Sequence, residues 1–218
     1  MKKAMTAFVL LAVVSSLCAQ QVPKALTANE LQVVQLTLSN GLTVWLNEDH
    51  TQPRVCGRVV VRAGAKDCPN TGIAHYFEHI MFKGTDRMGT VDYQAERPWL
   101  DSIAAQYDLL SRTNASAMPG VPLRDIEQRR NAIRQHINQL SVEAARFAIP
   151  NEFSRLITKY GGTGLNAATS ADMTVYYNTF LPQYMAQWCW LNSERLIRPV
   201  FRGFQAELEN VYEEKNRA

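Results

Sequence analysis

The stretch Gly72-Ile-Ala-His75-Tyr-Phe-Glu78-His79-Ile-Met-Phe-Lys-Gly-Thr85 decides how this chain of 218 residues is interpreted. It holds two of the chain's four histidines, His75 and His79, with Glu78 between them. On a helix, residues four apart share one face, and the residue three along lies beside them. Two neutral imidazoles at this spacing can bind one metal ion, and the Glu78 carboxylate can reach a water next to it. The alternative is a half-buried helix that carries two histidines and no ligand.

The composition is that of an ordinary globular protein. Hydrophobic residues make up 46% of the chain, charged residues make up 20%, and the net charge is +3. A chain of this length can bury one sizeable core. It carries no basic stripe with interleaved aromatic residues, so we expect no nucleic-acid partner.

The N-terminus has the pattern of a secretory signal peptide. Lys2 and Lys3 precede a mostly apolar run at residues 4–14, and small residues follow, up to Ala19-Gln20. This pattern predicts a signal peptide at residues 1–19 and a secreted or periplasmic mature protein from residue 20. The run is too short for a stable membrane span. A lipid on Cys18 is the less favoured alternative, because the residue before it is a bulky leucine.

Cleavage at this point leaves Cys56, Cys68 and Cys189 in the mature chain. Three cysteines form at most one internal disulfide. A Cys56–Cys68 pair and three free thiols both remain open, and the absence of C-x-x-C argues against a thiolate zinc site.

Local patterns along the chain predict strands first and helices later. Residues 31–38 and 42–46 flank Asn40-Gly41, which is typical of a β-hairpin. Apolar residues at helical spacing on both sides of a Pro- and Gly-containing break predict an antiparallel helical hairpin within residues 91–149. The other predicted elements are a strand at 54–62, a helix at 152–159, strands at 165–168 and 173–179, and helices at 188–197 and from about 201.

The last helix offers the third ligand that a catalytic zinc site requires. Such a site takes three protein ligands and keeps one position open. Glu207 and Glu214 are seven residues apart, on one face of the helix, and spacing alone does not choose between them. Glu78 is better suited to act as a general base that takes a proton from the attacking water.

The order H-x-x-E-H reverses the commoner zinc-peptidase motif H-E-x-x-H. With its flanks, residues 72–85, it resembles the signature segment of the pitrilysin/insulinase family of zinc metallopeptidases. Over roughly residues 30 to 217, further segments resemble that family's pattern in the same order: Leu42-Thr-Val, Val61-Arg-Ala-Gly64, Asn166-Ala-Ala-Thr-Ser170 and Glu207-Leu-Glu-Asn-Val-Tyr-Glu-Glu214.

The resemblance implies a zinc-dependent endopeptidase that hydrolyses peptides or unfolded segments. It assigns one Zn²⁺ to His75, His79 and Glu214, and it makes Glu78 the base that activates the water at the metal. Glu207 takes a supporting acidic role.

The resemblance also implies an α+β fold. The expected architecture has two layers, with an antiparallel-rich mixed sheet packed against helices, as in a metallohydrolase half-domain. Asn166, Ala167 and Ala168 are expected on a sheet edge that pairs with the peptide substrate.

Two features depart from the family's pattern. The gap between His79 and Glu214 is 135 residues (214 − 79), and a helical-hairpin insertion at about 91–150 accounts for the excess, as in the longer bacterial secreted branch. The family also builds its catalytic chamber from paired homologous domains. Residues 20–218 are therefore expected to be an N-terminal peptidase domain that is incomplete at its C-terminus and needs a second half or partner. Alone, such a domain is expected to bind zinc weakly and to cleave peptides poorly.

Two alternatives from other classes follow from the same residues. A non-catalytic subunit would keep the fold and help to shape an active partner's chamber, although such subunits usually lose motif residues. A structural zinc module is disfavoured because no obvious fourth protein ligand is present.

Overall fold

The computed structural model describes residues 24–28, 31–69 and 71–217, which form two compact units divided after Pro53. The expected signal peptide at residues 1–19 lies outside the described residues. Among the helices that are described, none combines the length and the apolar character needed to cross a membrane.

The first unit contains a three-stranded antiparallel sheet. Its strands are β1 (Lys24–Ala28), β2 (Leu31–Thr37) and β3 (Thr43–Asn47), in the order β1-β2-β3. The turn between β2 and β3 contains Gly41, whose φ is 85°. Just before β3, the backbone N–H of Leu42 donates a hydrogen bond of 3.1 Å to the carboxamide oxygen of Asn40. The hairpin predicted from Asn40-Gly41 is confirmed.

The second unit contains a separate antiparallel sheet. Its strands are β4 (Val55–Val61), β5 (Thr163–Thr169) and β6 (Thr174–Phe180), in the order β4-β6-β5. Every second residue of β6 is buried, as expected for the central strand. The described strands thus form two antiparallel sheets instead of one mixed sheet. The short β5–β6 connection explains the direction of that pair, because parallel neighbours need a long crossover.

The helix that carries the histidines is α1 (Ile73–Ile80). It begins after Gly72, whose φ of 69° lies in the left-handed region that glycine tolerates best. The chain turns again at Gly84, where φ is 102° and an added Cβ would clash with the Met88 carbonyl oxygen. Between these two glycines, α1 packs against β5 and β6 and against the last helix of the chain.

Two long helices follow α1 and pack against each other. They are α2 (Tyr93–Arg112) and α3 (Leu123–Ala145). Arg130 of α3 donates to the carbonyl oxygens of Leu110 and Thr113, at 3.1 and 2.6 Å, and so caps the end of α2. The predicted helical hairpin is present, and its status as an insertion remains a prediction.

Three further helices complete the second unit: α4 (Glu152–Lys159), α5 (Met185–Ile197) and α6 (Phe204–Arg217). A buried apolar cluster of Met88, Phe153, Ile157 and Leu191 joins the loop after α1 to α4 and α5. The described residues therefore form an α+β structure in which helices cover an antiparallel sheet.

The Arg195 side chain is buried among aromatic rings beside this cluster. Its guanidinium carbon lies 4.7 Å from the ring centre of Phe153 and 4.2 Å from that of Tyr176. Burial lowers the pKa of Arg195 to about 10, and the nearby Tyr176 opposes this shift. The group therefore stays charged at neutral pH, with aromatic faces in place of water.

A buried ion pair connects the helical hairpin to the start of α6. Arg202 donates from Nε and Nη2 to the two carboxylate oxygens of Glu96, at 2.7 and 2.8 Å. It also donates to the carbonyl oxygens of Thr85 and Met88, at 2.8 and 3.2 Å. One guanidinium thus holds together α2, the loop after α1 and the segment before α6.

The cysteines of the described chain are all free and exposed. Cys56 lies on β4, Cys68 lies in the loop before α1, and Cys189 lies on α5. Of the two states that the sequence left open, the structure has the free thiols.

Candidate metal centre

The two histidines of α1 face each other across one helical turn. The Nε2 atoms of His75 and His79 are 3.2 Å apart, and the rings meet at 78°. Both residues are partly exposed. With Glu78 they form a group whose donor atoms all lie within 4.8 Å of one another and could hold a metal ion.

The helix α6 places Glu214 at the same point. Its Oε2 atom lies 3.5 Å from Nε2 of His75 and 3.5 Å from Nε2 of His79. Two atoms that bind one tetrahedral Zn²⁺ at about 2.0–2.1 Å are about 3.3–3.4 Å apart. The three donor atoms therefore form a triangle of the size that a single zinc ion requires.

Glu207, two helical turns before Glu214 on α6, contacts the other side of the His79 ring. Its Oε2 atom lies 3.2 Å from His79 Nδ1, and its Oε1 atom forms an ion pair with Lys83. An ionised carboxylate can only accept, so this contact assigns a proton to Nδ1 of His79; in the neutral ring, Nε2 is then the nitrogen with a free lone pair. That Nε2 atom lies 3.5 Å from the Glu214 oxygen, a separation that suits two ligands of one cation. A carboxylate that orients a metal-binding histidine is a common supporting arrangement.

The Glu78 carboxylate lies on the sheet side of α1 and is 7% exposed. Its Oε2 atom accepts a hydrogen bond of 2.5 Å from the hydroxyl of Thr169, the last residue of β5. Glu78 is thus held by the sheet, whereas Glu214 and Glu207 come from α6. The carboxylates of Glu78 and Glu214 therefore have different environments, one buried against the sheet and one half-exposed.

Tyr176 of β6 lies near Glu78 and Arg195. Burial raises the pKa of Tyr176 to about 12, Arg195 opposes the rise, and the Glu78 carboxylate adds to it. The phenol is therefore neutral at pH 7, and its proton does not titrate in the physiological range.

Tyr76 fixes the contact between α1 and α6. Its hydroxyl donates to the carbonyl oxygen of Phe204 at 2.8 Å, and its ring packs in a buried cluster with Ile80 and Val211. Burial raises the pKa of Tyr76, and Tyr107 and Glu207 add to the shift. The first turn of α6 is thereby held against the helix that carries the histidines.

The three residues predicted to contact a peptide lie on β5, which is an edge strand among the described strands. Asn166 and Ala168 are exposed, and Ala167 is partly buried. The Asn166 carboxamide oxygen accepts a bond from the Ala167 backbone N–H at 2.9 Å. A strand edge is thus present at the predicted position, and the substrate role of these residues stays a prediction.

Sequence reasoning missed Thr169 and Lys83. The sequence did indicate Thr169, because Leu165, Ala167 and Thr169 are every second residue of β5 and so lie on one face, which is half-buried. A polar residue at the end of such a face is a candidate for a side-chain hydrogen bond. Lys83 had none, since a lysine one turn after His79 also fits a solvated helix end.

Comparison with known proteins gives one local similarity. A stretch of 55 residues, 24% of this chain, is 42% identical to the coenzyme PQQ synthesis protein F of Pseudomonas syringae pv. tomato. The match covers 7% of that protein, so the chain spans only a small part of its length. No protein-family model matches the chain.

Proposed function

We propose that this chain is the metal-binding part of a zinc-dependent endopeptidase. The observation that carries the proposal is the triangle of donor atoms from His75, His79 and Glu214, with sides of 3.2, 3.5 and 3.5 Å. The contact of 3.2 Å between Glu207 and Nδ1 of His79 supports the same conclusion. The resemblance of residues 72–85 to the pitrilysin/insulinase signature supplies the reaction class.

In this proposal each side chain of the site has one task. His75, His79 and Glu214 hold the zinc, which would supply a Lewis acid for the peptide carbonyl. Glu78 takes a proton from the attacking water and later passes it to the leaving amine. Glu207 orients His79, and Lys83 neutralises the charge of Glu207.

The substrate and the partner follow from the same proposal. A peptide would pair with the open edge of β5 at Asn166–Ala168. The same strand ends at Thr169, which contacts Glu78. A homologous second half or partner domain would complete the chamber around it. Secretion to an extracellular or periplasmic compartment is part of the proposal and rests on the pattern of residues 1–19.

The alternative of a non-catalytic subunit has less support. A scaffold needs neither a base beside a pair of histidines nor an acidic residue that fixes a histidine tautomer. All four groups that hydrolysis requires lie together in this chain, so the catalytic function explains more of the geometry.

Zinc titration by calorimetry tests the metal site, with protein from the complete reading frame. We expect one zinc per chain, and we expect Glu214→Gln to weaken zinc binding by about 100-fold or more, because even supporting residues are worth about 10- to 100-fold. Glu209→Gln, on an exposed position of the same helix, is the matched control and should bind zinc as the wild type does. Equal affinities of the E214Q and E209Q variants would contradict the ligand assignment.

Cleavage of a fluorogenic peptide mixture tests the reaction, with protein from the complete reading frame. Glu78→Gln should lower kcat by about 10²- to 10⁴-fold, which is the usual contribution of a general base, while zinc affinity is kept. Turnover that survives both a chelator and the E78Q substitution would reject the endopeptidase. No effect of E78Q on an otherwise active complex would favour the scaffold.

A further inference from the structure

Thr169 connects the substrate-side strand to the base of the site. It is the last residue of β5, and its hydroxyl lies 2.5 Å from Oε2 of Glu78 on α1. Glu78 is buried and Thr169 is partly buried, so water competes little with this hydrogen bond. Hydrogen bonds to a charged acceptor at such distances are among the strong ones.

The direction of this hydrogen bond follows from the chemistry of the two groups and from the surroundings of Thr169. Thr174 lies opposite Thr169 in the β5–β6 pairing, with the two Oγ1 atoms 3.4 Å apart. The Thr174 hydroxyl donates its single proton to the carbonyl oxygen of Ala63 at 3.0 Å. An ionised carboxylate can only accept, so the Thr169 hydroxyl donates to Glu78 at 2.5 Å, and the Thr174 oxygen is a more distant polar neighbour.

We infer that Thr169 is a positioning residue that fixes the Glu78 carboxylate for proton transfer; the inference rests on the proposed function. With Oε2 engaged by Thr169, Oε1 is the oxygen that exchanges a proton with the attacking water. A glutamate side chain has several rotatable bonds, and one strong hydrogen bond removes much of that freedom. Since Asn166–Ala168 precede Thr169 on β5, the strand proposed to receive the peptide also sets the position of the base.

Three substitutions in β5 distinguish a positioning role of Thr169 from a general effect on folding. Thr169→Val removes the hydroxyl and keeps the shape, Thr169→Ser keeps the hydroxyl, and Thr163→Val makes the same chemical change at the far end of β5. We expect T169V to lower kcat roughly 10- to 100-fold, the loss typical of a displaced reacting group, with KM and zinc affinity unchanged. T169S should recover most of the activity, and T163V should match the wild type.

Crystal structures of the zinc-loaded T169V and T163V variants supply a readout that needs no turnover. In T169V the Glu78 carboxylate should leave its position while His75 and His79 keep theirs; in T163V nothing should move. An unmoved Glu78 in T169V, or a kcat equal to that of T163V, would overturn the inference. If the wild type neither binds zinc nor cleaves peptides, the proposed function is wrong. The position of Glu78 in the T169V structure then still shows whether Thr169 holds this carboxylate in place. Thr169→Ala gives the same comparison should T169V not fold.

Discussion

The two sides of α1 hold the groups of the proposed site in different ways. On the ligand side, His75 and Glu214 keep 37% and 52% of their side-chain surface exposed, and the acidic residues come from α6. On the base side, Glu78 is 7% exposed and bonds to the adjacent sheet. The ligand side is therefore open to solvent and depends on α6, whereas the base side is closed and depends on β5.

The two sides therefore depend on different contacts in the structure. The ligand side requires α6 to be docked, which rests on Tyr76 and on the Glu96–Arg202 ion pair. The base side requires only the contact between α1 and β5. Changes that loosen α6 should therefore reduce zinc binding first and leave the Glu78–Thr169 contact intact.

The largest effect is expected from breaking the buried ion pair behind the ligand side. Glu96→Ala leaves the guanidinium of Arg202 buried without its carboxylate, and such a loss costs about 3–5 kcal/mol in the free energy of unfolding. Urea denaturation followed by circular dichroism measures it. Glu127→Ala, which removes an exposed partner of Arg130, should cost less than about 1 kcal/mol. Similar costs for E96A and E127A would show that α6 is held by other contacts.

A smaller effect is expected on zinc affinity when the support of His79 is removed. Glu207→Gln takes away the charge that fixes the proton on Nδ1, so zinc binding should weaken by about 10- to 100-fold. Competition titration with a chromogenic chelator measures the affinity, and E209Q again serves as the control. The comparison predicts that Glu78 keeps its bond to Thr169 in this variant. An E207Q variant that binds zinc like E209Q would mean that Glu207 acts only on Lys83.

The smallest effect concerns the hydrogen bond between α1 and α6. Tyr76→Phe removes the bond to the Phe204 carbonyl and should lower the free energy of unfolding by about 0.5–1.5 kcal/mol at neutral pH.

The pH dependence of the same variant gives a second measurement. Burial raises the pKa of Tyr76 above its ordinary value of 10.0, so above pH 10 the folded chain keeps a proton that the unfolded chain has lost. Stability from this group is therefore present below pH 10 and declines as the pH rises further. Y76F should show a shallower decline than the wild type, whereas Tyr212→Phe, at an exposed position of α6, should not. Identical slopes in Y76F and the wild type would contradict the assignment.

Most elements of the fold were predictable because their signals are local. The Asn40-Gly41 turn and the spacing of His75 and His79 each fix a conformation over a few residues, and both are confirmed in the structure. The seven-residue spacing of Glu207 and Glu214 also predicted that both would face α1, as they do. It did not decide which one meets the Nε2 atoms, because that depends on where α6 docks.

The features that sequence reasoning missed depend on contacts between distant segments. Glu96 and Arg202 each look like a charged surface residue, and only tertiary packing buries them together. The division of the strands into two antiparallel sheets likewise depends on which strand pairs with which. The alternation within a strand predicts on which face of the sheet each residue lies, but it does not predict which strand lies next to it.

The separation of the ligands along the chain also affects the order in which the site is assembled during synthesis. His79 is made 135 residues before Glu214 (214 − 79), which at about 5–20 residues per second corresponds to roughly 7–27 s. During that interval a growing chain presents two imidazoles and a nearby carboxylate without the third ligand. A metal ion captured so early would be held weakly and exchange freely. In the proposed zinc site, selection of the ion therefore falls to the moment when α6 docks onto α1.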